Sequence, residues 1–169
     1  AYFYKPSGVV YVQGETLVQT DLADTLSRIS KFGAEGFYQG AVAEKIVAQM
    51  ARSGGVITRQ DLKNYRVVER EPVCGNYREH QVCSMPPPSS GGIHLVQMLN
   101  ILEGWNLRAL GHNSADYIHR LAASMQRAYA DRSQYLGDPD FVDVPQSRLT
   151  DKRYAEFLRQ PVSYTHLTL

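Results

Sequence analysis

The sequence has only two cysteines, almost no net charge and no long apolar run, and each of these shortages excludes a class of protein. Two cysteines cannot make a disulfide-rich scaffold or a four-cysteine zinc site. The 18 Lys and Arg residues are balanced by 17 Asp and Glu residues, which excludes a basic surface for nucleic acid and a polybasic signal for anionic membranes. No stretch approaches the roughly 20 apolar residues that cross a bilayer. What is left is a globular composition of 169 residues, 43% of them hydrophobic, which is typical of a single domain.

Neither end of the sequence has the features of a natural terminus. The chain begins at Ala1 without an initiator methionine or a leader-like segment. At the other end, Pro161 breaks a helical pattern, and the residues after it read VSYTHLTL. This string resembles a translated transposon-type sequencing adapter. We therefore expect residues 1–161 to be natural sequence, cut at both ends, and residues 162–169 to be a non-native tail.

Three helices are predicted in the first part of the chain. Apolar residues at helical spacing predict a helix over residues 21–32 that ends before Gly33. A second helix is predicted to end near Arg52. The third begins after Thr58, and Asp61 three positions later completes the pattern of a capping box. Because the joints are short, we expect the three helices to pack against one another.

The pattern then changes to one typical of strands. Three β-like segments follow one another, at residues 65–70, 73–77 and 80–84. They predict a β-hairpin near residues 66–84. With a two-residue loop at its tip, Cys74 faces Cys83 in a non-hydrogen-bonded pair, with their Cα atoms about 4.5 Å apart. A disulfide accepts this distance. Two interpretations stay open, namely a cross-strand disulfide formed in an oxidising compartment and two half-buried, unpaired cysteines.

A segment rich in proline, serine and glycine follows the hairpin. Residues 85–92 read MPPPSSGG and lead into a predicted helix from Ile93 to Glu103 that is apolar nearly all round. Such a helix is normally central to a core. The turn Ser89–Gly92 has three interpretations, namely an anion site at a helix start, a nucleophilic serine, or a capped turn that docks the helix. Because no Gly-x-Ser-x-Gly elbow and no Walker pattern is present, we favour the capped turn.

Two further helices are predicted towards the end of the chain. Ser114 is expected to cap a long helix that runs to about Leu136. Its apolar residues at helical spacing are Ile118, Leu121, Met125 and Tyr129. Thr150 is expected to cap a last helix, with Leu149 and Tyr154 placed as a hydrophobic staple.

Acidic and imidazole side chains offer candidates for chemistry without completing a site. Four aspartates follow one another late in the chain, at Asp131, Asp138, Asp140 and Asp143. Their spacing does not fit a calcium loop, so we favour surface turns and leave a carboxylate pair for acid–base work open. Four histidines share no metal-ligand spacing, namely His80, His94, His112 and His119. We expect no metal site, and packing or surface roles for His112 and His119.

Two long strings resemble signature stretches of the γ-glutamyltranspeptidase (glutathione hydrolase) family. They are SMPPPSSGGIH at residues 84–94 and YADRSQYLGDPDFV at residues 129–142. Shorter strings support them, at residues 14–19, 36–40 and 54–58. Their order and spacing are similar to those of the family from about Lys5 to Gln160. On these strings the sequence is identified as a fragment of the large subunit.

The resemblance implies a fold and a reaction. The family belongs to the N-terminal-nucleophile hydrolases with an αββα core, so this piece is expected to be α+β, mainly helical with one hairpin. The precursor cleaves itself into a large and a small subunit, and the new N-terminal Thr of the small subunit attacks the γ-glutamyl amide of glutathione. Water, an amino acid or a peptide then accepts the γ-glutamyl group. The free α-amine can act as the base for its own hydroxyl, oxyanion donors stabilise the intermediate, and no cofactor is expected. Bacterial members are typically periplasmic or secreted.

The resemblance assigns no catalytic, substrate-binding or metal residue to this chain. The family's nucleophile lies tens of residues beyond the last predicted helix, and the Arg that binds the substrate α-carboxylate lies before Ala1. Thr165-His166 is superficially similar to the Thr-Thr-His-like motif, but it follows the last helix too closely and is assigned to the tail. Pro86–Gly92 and Tyr129–Phe141 carry the family identity and are given structural roles.

Three functions stay open at this stage. The first is a fragment of a γ-glutamyltransferase, inactive alone, whose full-length protein acts on glutathione and γ-glutamyl compounds and needs the missing small subunit as its partner. The second is a fragment of a related acylase that removes β-lactam side chains such as glutaryl groups. The third is a non-enzymatic helical binding module. Because sheet layers are missing, we expect the helix Ile93–Leu102 to be poorly covered and the isolated chain to aggregate or stay partly molten.

Overall fold

The computed structural model of the chain describes residues 3–160. The predicted tail at 162–169 and Thr165-His166 lie outside the described residues. The chain divides into two compact units, Ala1–Val68 and Glu69–Leu169. The elements in chain order are α1 (Thr20–Phe32), α2 (Glu35–Tyr38), α3 (Gly40–Ser53), α4 (Arg59–Asn64), β1 (Val73–Tyr77), β2 (His80–Ser84), α5 (Gly91–Glu103), α6 (Leu107–Leu110), α7 (Ala115–Tyr135), α8 (Gln146–Leu149) and α9 (Lys152–Arg159).

The first unit contains the three predicted helices, with the short helix α2 added between α1 and α3. Helix α1 ends at Gly33, whose φ of +60° is readily adopted by glycine. At the start of α4, the Thr58 side chain accepts a hydrogen bond from the Asp61 N–H, and the Thr58 N–H donates to the Asp61 carboxylate at 2.8 Å. The hydrogen bond from the Thr58 hydroxyl, followed by that from its N–H, lowers the pKa of Asp61. The predicted capping box is confirmed.

The second unit begins with the hairpin. Strands β1 and β2 pair antiparallel, and the register sets Cys74 opposite Cys83. Their Cα atoms are 4.1 Å apart and their sulfurs form a disulfide, which confirms the paired interpretation. The expected strand at residues 65–70 is wrong. Tyr65 is the C-cap of α4, and the described residues supply no partner strand for the segment after it, so Val67 stays 79% exposed.

Helix α5 lies at the centre of the second unit, in contact with β1, β2, α7 and α9. Its apolar residues Ile93, Val96 and Ile101 are buried, and the first two belong to a core cluster with Val73 and Leu149. The expectation that this helix is poorly covered is therefore wrong. The hairpin and two helices of the same unit already surround it, and no further sheet layer is needed to bury these side chains.

The long helix α7 buries a different face from the predicted one. Ser114 caps it as expected, because its Oγ accepts a hydrogen bond from the Tyr117 N–H at 3.1 Å. Three of the predicted core residues are largely exposed instead, namely Ile118 (52%), Met125 (41%) and Tyr129 (53%). The buried residues are His119, Ala123, Ser124 and Ala128. Small side chains let α7 approach α5 closely, and this packing decides the orientation.

The last helix begins one residue later than predicted. Asp151 caps α9, because its carboxylate accepts hydrogen bonds from the N–H groups of Arg153 at 2.6 Å and Tyr154 at 3.3 Å. The Thr150 hydroxyl instead donates to the Gln146 carbonyl at 2.9 Å. Thr150 directly follows the short helix α8, which was not predicted. Its hydroxyl is hydrogen-bonded to a carbonyl of that helix and does not cap α9. Among residues 3–160, no helix is both long and apolar enough to span a membrane.

Candidate functional site

The segment between β2 and α5 is held by a close approach to the hairpin. The Gly92 N–H donates a hydrogen bond to the Met85 carbonyl at 3.0 Å. A Cβ atom at position 92 would lie 2.3 Å from the Met85 oxygen and 3.1 Å from the Val73 Cβ. Glycine is therefore required here for packing, and it allows α5 to begin directly against β1.

The two serines of this segment make turn and bridging contacts. Ser89 Oγ accepts a hydrogen bond from the Gly91 N–H at 3.2 Å, and Ser90 Oγ accepts one from Arg132 Nε at 3.3 Å. Neither contact supplies the general base that a serine nucleophile needs. The geometry supports a turn that docks α5, held by the Ser89 contact. The expected side-chain cap is wrong, because Ser90 stands at the N-cap position of α5 and its side chain makes no capping hydrogen bond.

The Ser90–Arg132 contact joins the two segments that carry the family resemblance. Ser90 lies at the start of α5, and Arg132 lies in the last turn of α7. Together they border an open pocket of about 480 Å³. Its lining residues come from both segments and are Pro88, Ser89, Ser90, Arg132, Ser133 and Leu136. Strings that are about 40 residues apart in the sequence thus form one surface.

Three helices meet at Asp131, one position before Arg132. Gln97 Nε2 of α5 donates a hydrogen bond to Asp131 Oδ2 at 2.5 Å, and the Tyr154 hydroxyl of α9 lies 3.0 Å from both carboxylate oxygens. Burial raises the pKa of Tyr154, and the hydrogen bond to Asp131 raises it further. Gln97, Asp131 and Tyr154 are called the Asp131 cluster below.

His94 lies buried beside this cluster, with 6% of its surface exposed. Its ring centroid is 5.0 Å from that of Tyr129, and its Nε2 has no hydrogen-bond partner among the described residues. Burial lowers the pKa of His94, and the Arg132 charge lowers it further, against an opposing contribution from Asp131. The lowered pKa favours the neutral form of the imidazole.

The four aspartates do not form one group. Arg70 Nη2 lies 2.6 Å from Asp140 Oδ2 and 3.3 Å from Asp138 Oδ1, and Asp138 also accepts a hydrogen bond from the Asp140 N–H. These two are turn residues, as favoured. The same expectation is wrong for Asp131, which bonds to side chains of α5 and α9. Within residues 3–160, no group of three or more His, Cys, Asp or Glu side chains is arranged to hold a metal ion.

Residues 1–168 match the family model described as gamma-glutamyltranspeptidase. The chain belongs to this family. The resemblance found on the two strings is confirmed, and so is the α+β fold class. The crystal structure of Helicobacter pylori gamma-glutamyltranspeptidase is similar, with a TM-score of 0.86 and 49% identity, and the match covers 96% of this chain and 46% of that chain.

Two curated relatives of the chain carry different names. The glutathione hydrolase proenzyme of Escherichia coli (strain K12) is 50% identical over 162 residues, which are 96% of this chain and 28% of the relative. The acylase ACY 1 proenzyme of Pseudomonas sp. (strain V22) is 45% identical over 151 residues, which are 89% of this chain and 27% of the relative. This γ-glutamyltranspeptidase chain thus spans little more than a quarter of the length of either relative.

Some contacts of the site were missed from the sequence. Gln97 is one of the polar residues of a largely apolar helix, and a polar side chain in such a helix indicates a buried hydrogen bond. It could have predicted the Asp131 cluster, although not the identity of the partners. Arg70 carries no such signal, because it lies about 70 residues from the carboxylates that it bonds.

Proposed function

We propose that this chain is a segment of the large subunit of a proenzyme that cleaves the γ-glutamyl amide of glutathione and transfers the γ-glutamyl group to water, an amino acid or a peptide. The observation that carries the proposal is the Ser90–Arg132 contact, which joins the two family strings into one folded surface. The identity of 50% to a glutathione hydrolase proenzyme supports the substrate class.

The chain contributes scaffold rather than reacting groups in this proposal. The Asp131 cluster locks α5, α7 and α9 together, and the Gly92 contact fixes the start of α5 against the hairpin. The nucleophilic Thr, its α-amine and the oxyanion donors belong to the small subunit, which is the partner of this chain in the proposal. We therefore expect the 169-residue chain alone to release no glutamate from glutathione.

A second candidate is an acylase of β-lactam side chains such as glutaryl groups. The observation in its favour is the 45% identity to the acylase ACY 1 proenzyme. The two candidates share a fold, and the α-amino group distinguishes a γ-glutamyl substrate from a glutaryl one. The residues that would bind this group are expected outside the chain. A non-enzymatic binding module has no observation of this kind behind it.

An exported location belongs to the same proposal. The family includes bacterial relatives, and a disulfide at Cys74–Cys83 is typical of proteins of oxidising compartments such as the periplasm or the extracellular space. The expected location is therefore periplasmic or secreted.

The experiment is to recover the complete reading frame from the source DNA, express it, and compare three substrates. These are glutathione, γ-glutamyl-p-nitroanilide and a glutaryl β-lactam. Self-cleavage into two subunits with turnover of the two γ-glutamyl compounds is the expected result. Turnover of the glutaryl compound alone would favour the acylase, and a processed protein active on none of the three would contradict both. The 169-residue chain serves as the inactive control.

A further inference from the structure

The disulfide lies on the outer face of the hairpin. Side chains of a strand alternate between two faces, and in β1 Val73 is buried whereas Cys74 is exposed. In β2, Val82 is half-buried and Cys83 is exposed. The register pairs Cys74 with Cys83, so both half-cystines stand on the face that is turned away from α5.

Within the two strands, no charged side chain shares this outer face; the charged residues Arg78 and Glu79 lie in the turn at the hairpin tip. Its other members by alternation flank the two half-cystines along both strands, and all four are exposed, namely Pro72, Asn76, Gln81 and Met85. Access to the sulfurs controls the rate of thiol–disulfide exchange. An anionic thiol such as glutathione therefore meets neither a covering side chain nor a repelling carboxylate among these neighbours.

The same hairpin contacts α5 along its inner face and at both ends of the hairpin. Gly75 lies so close to Val96 that a Cβ atom would come within 2.5 Å of the Val96 Cγ1. At the hairpin tip, the Arg78 N–H donates a hydrogen bond to Glu103 Oε1 at 2.6 Å. At the other end of the hairpin, the Met85 carbonyl accepts a hydrogen bond from the Gly92 N–H. Opening the hairpin therefore loosens the helix that fills the centre of the unit.

The sheet within residues 3–160 has only these two strands. A two-stranded hairpin is marginally stable without packing or a cross-link. The bridge closes a loop between residues nine positions apart, and this restricts the opened hairpin. The covalent bond and the contacts with α5 thus hold the hairpin from opposite faces.

We propose that Cys74–Cys83 is a thiol–disulfide exchange site for low-molecular-weight thiols, and that its opening releases the β1–β2 hairpin and with it the start of α5. In the first step a thiolate RS⁻ attacks one protein sulfur, an RS–S–Cys bond forms, the Cys74–Cys83 bond breaks, and the departing sulfur takes a proton. In the second step another thiol attacks the mixed disulfide, RSSR leaves, and the second cysteine takes a proton. Two thiols are oxidised to one disulfide, and one protein disulfide is reduced to two thiols.

This inference goes beyond the proposed function and does not rest on it. Exchange requires accessible sulfurs and a thiol, and it requires no γ-glutamyl chemistry. Failure of the γ-glutamyl assay would leave the inference standing, and failure of the test below would leave the proposed function standing.

The test uses the oxidised 169-residue chain under native conditions with excess reduced glutathione and no denaturant. Samples are alkylated and weighed by mass spectrometry, and amide hydrogen exchange is followed by residue. We expect a mixed disulfide, followed by two free thiols. We also expect exchange of the hairpin amides and of Gly92 to increase by about 10- to 100-fold. Amides of α4 in the first unit should be unchanged and act as the internal control.

Two paired variants separate the bridge from the strand positions. Cys74→Val/Cys83→Val retains strand-forming side chains without the bond, and it should show the faster exchange from the start with no response to glutathione. Asn76→Thr/Gln81→Thr changes the other outer-face pair and should respond like the parent chain. A disulfide that glutathione reduces only after denaturation would overturn the proposal, and so would complete reduction with unchanged hairpin exchange. Because the parent chain itself is reduced in the test, the result does not depend on either variant folding.

Discussion

The Tyr154 hydroxyl of α9 lies 3.0 Å from both carboxylate oxygens of Asp131 in α7. Gln97 Nε2 of α5 donates a hydrogen bond to the same carboxylate. One acidic side chain therefore holds three helices whose sequence positions are far apart. Because a carboxylate without its donors is costly to keep partly buried, the cluster is expected to contribute more to stability than an ordinary surface contact.

Replacing Tyr154 by Phe tests this contribution. Tyr154→Phe keeps the ring and removes the hydroxyl donor, and we expect it to lower the free energy of unfolding by about 1–2 kcal/mol, because the hydrogen bond lost is to a charged group. The measurement is urea unfolding of the chain followed by circular dichroism. Tyr129→Phe is the matched control. Because Tyr129 is half-exposed, this substitution should change the free energy of unfolding by less than about 0.5 kcal/mol. Equal effects of the two substitutions would show that the cluster adds nothing.

Adjacent glycines at the start of α5 give a second test. Gly92→Ala should destabilise the chain by about 2 kcal/mol or more, because the new methyl group collides with the Met85 carbonyl. Gly91→Ala is the control, since its Cβ would meet only Ser89 Oγ at 3.4 Å, an ordinary contact. Because alanine has a higher helix propensity than glycine, Gly91→Ala should be neutral or stabilising by up to about 1 kcal/mol. A Gly92→Ala chain as stable as the parent would contradict the close approach.

The neutral state of His94 predicts how stability depends on pH. Its pKa is lowered in the folded chain, first by burial and then by the Arg132 charge, so the unfolded chain binds the proton at a higher pH than the folded one. This contribution is therefore fully present above the ordinary value near 6.5 and is lost as the pH falls below it. Measurements of the free energy of unfolding at several pH values should show that His94→Gln reduces the loss of stability below pH 6.5. An unaltered dependence of stability on pH in the His94→Gln variant would refute the account.

Substitutions of Thr150 and Asp151 test which of these two neighbouring residues caps α9. Asp151→Ala removes the acceptor of two backbone N–H groups and should lower Tm by about 2–5 °C. Thr150→Ala removes only a bond to the Gln146 carbonyl and should change Tm by less than about 2 °C. Thermal melting of both variants decides between them, and a larger loss from Thr150→Ala would restore the cap expected from the sequence.

Local patterns predicted most of the elements of the fold. The capping box at Thr58, the register that pairs Cys74 with Cys83, and the central position of α5 follow from residues within a few positions of one another. The buried face of α7 could not be found in this way, because helix periodicity favours its large apolar residues whereas close packing on α5 selects its small ones. The cap of α9 was missed because α8 was missed.

The candidate site was less accessible to sequence reasoning than the fold. The family strings marked both of the segments that meet at Ser90 and Arg132, and this is the part of the site that could be predicted. The Asp131 cluster joins residues 23 and 34 positions apart. No local pattern specifies such a pairing, because side-chain partners across helices depend on how the helices cross.

A chimeric proenzyme tests most directly whether the chain works as a large-subunit segment. Residues 3–160 replace the matching segment of the Escherichia coli glutathione hydrolase proenzyme. As a control, the matching segment of Helicobacter pylori gamma-glutamyltranspeptidase is exchanged in the same way. The chimera is expected to cleave itself into two subunits and to release p-nitroaniline from γ-glutamyl-p-nitroanilide. A chimera that folds but neither cleaves itself nor turns over this substrate, beside a control that does both, would contradict the account.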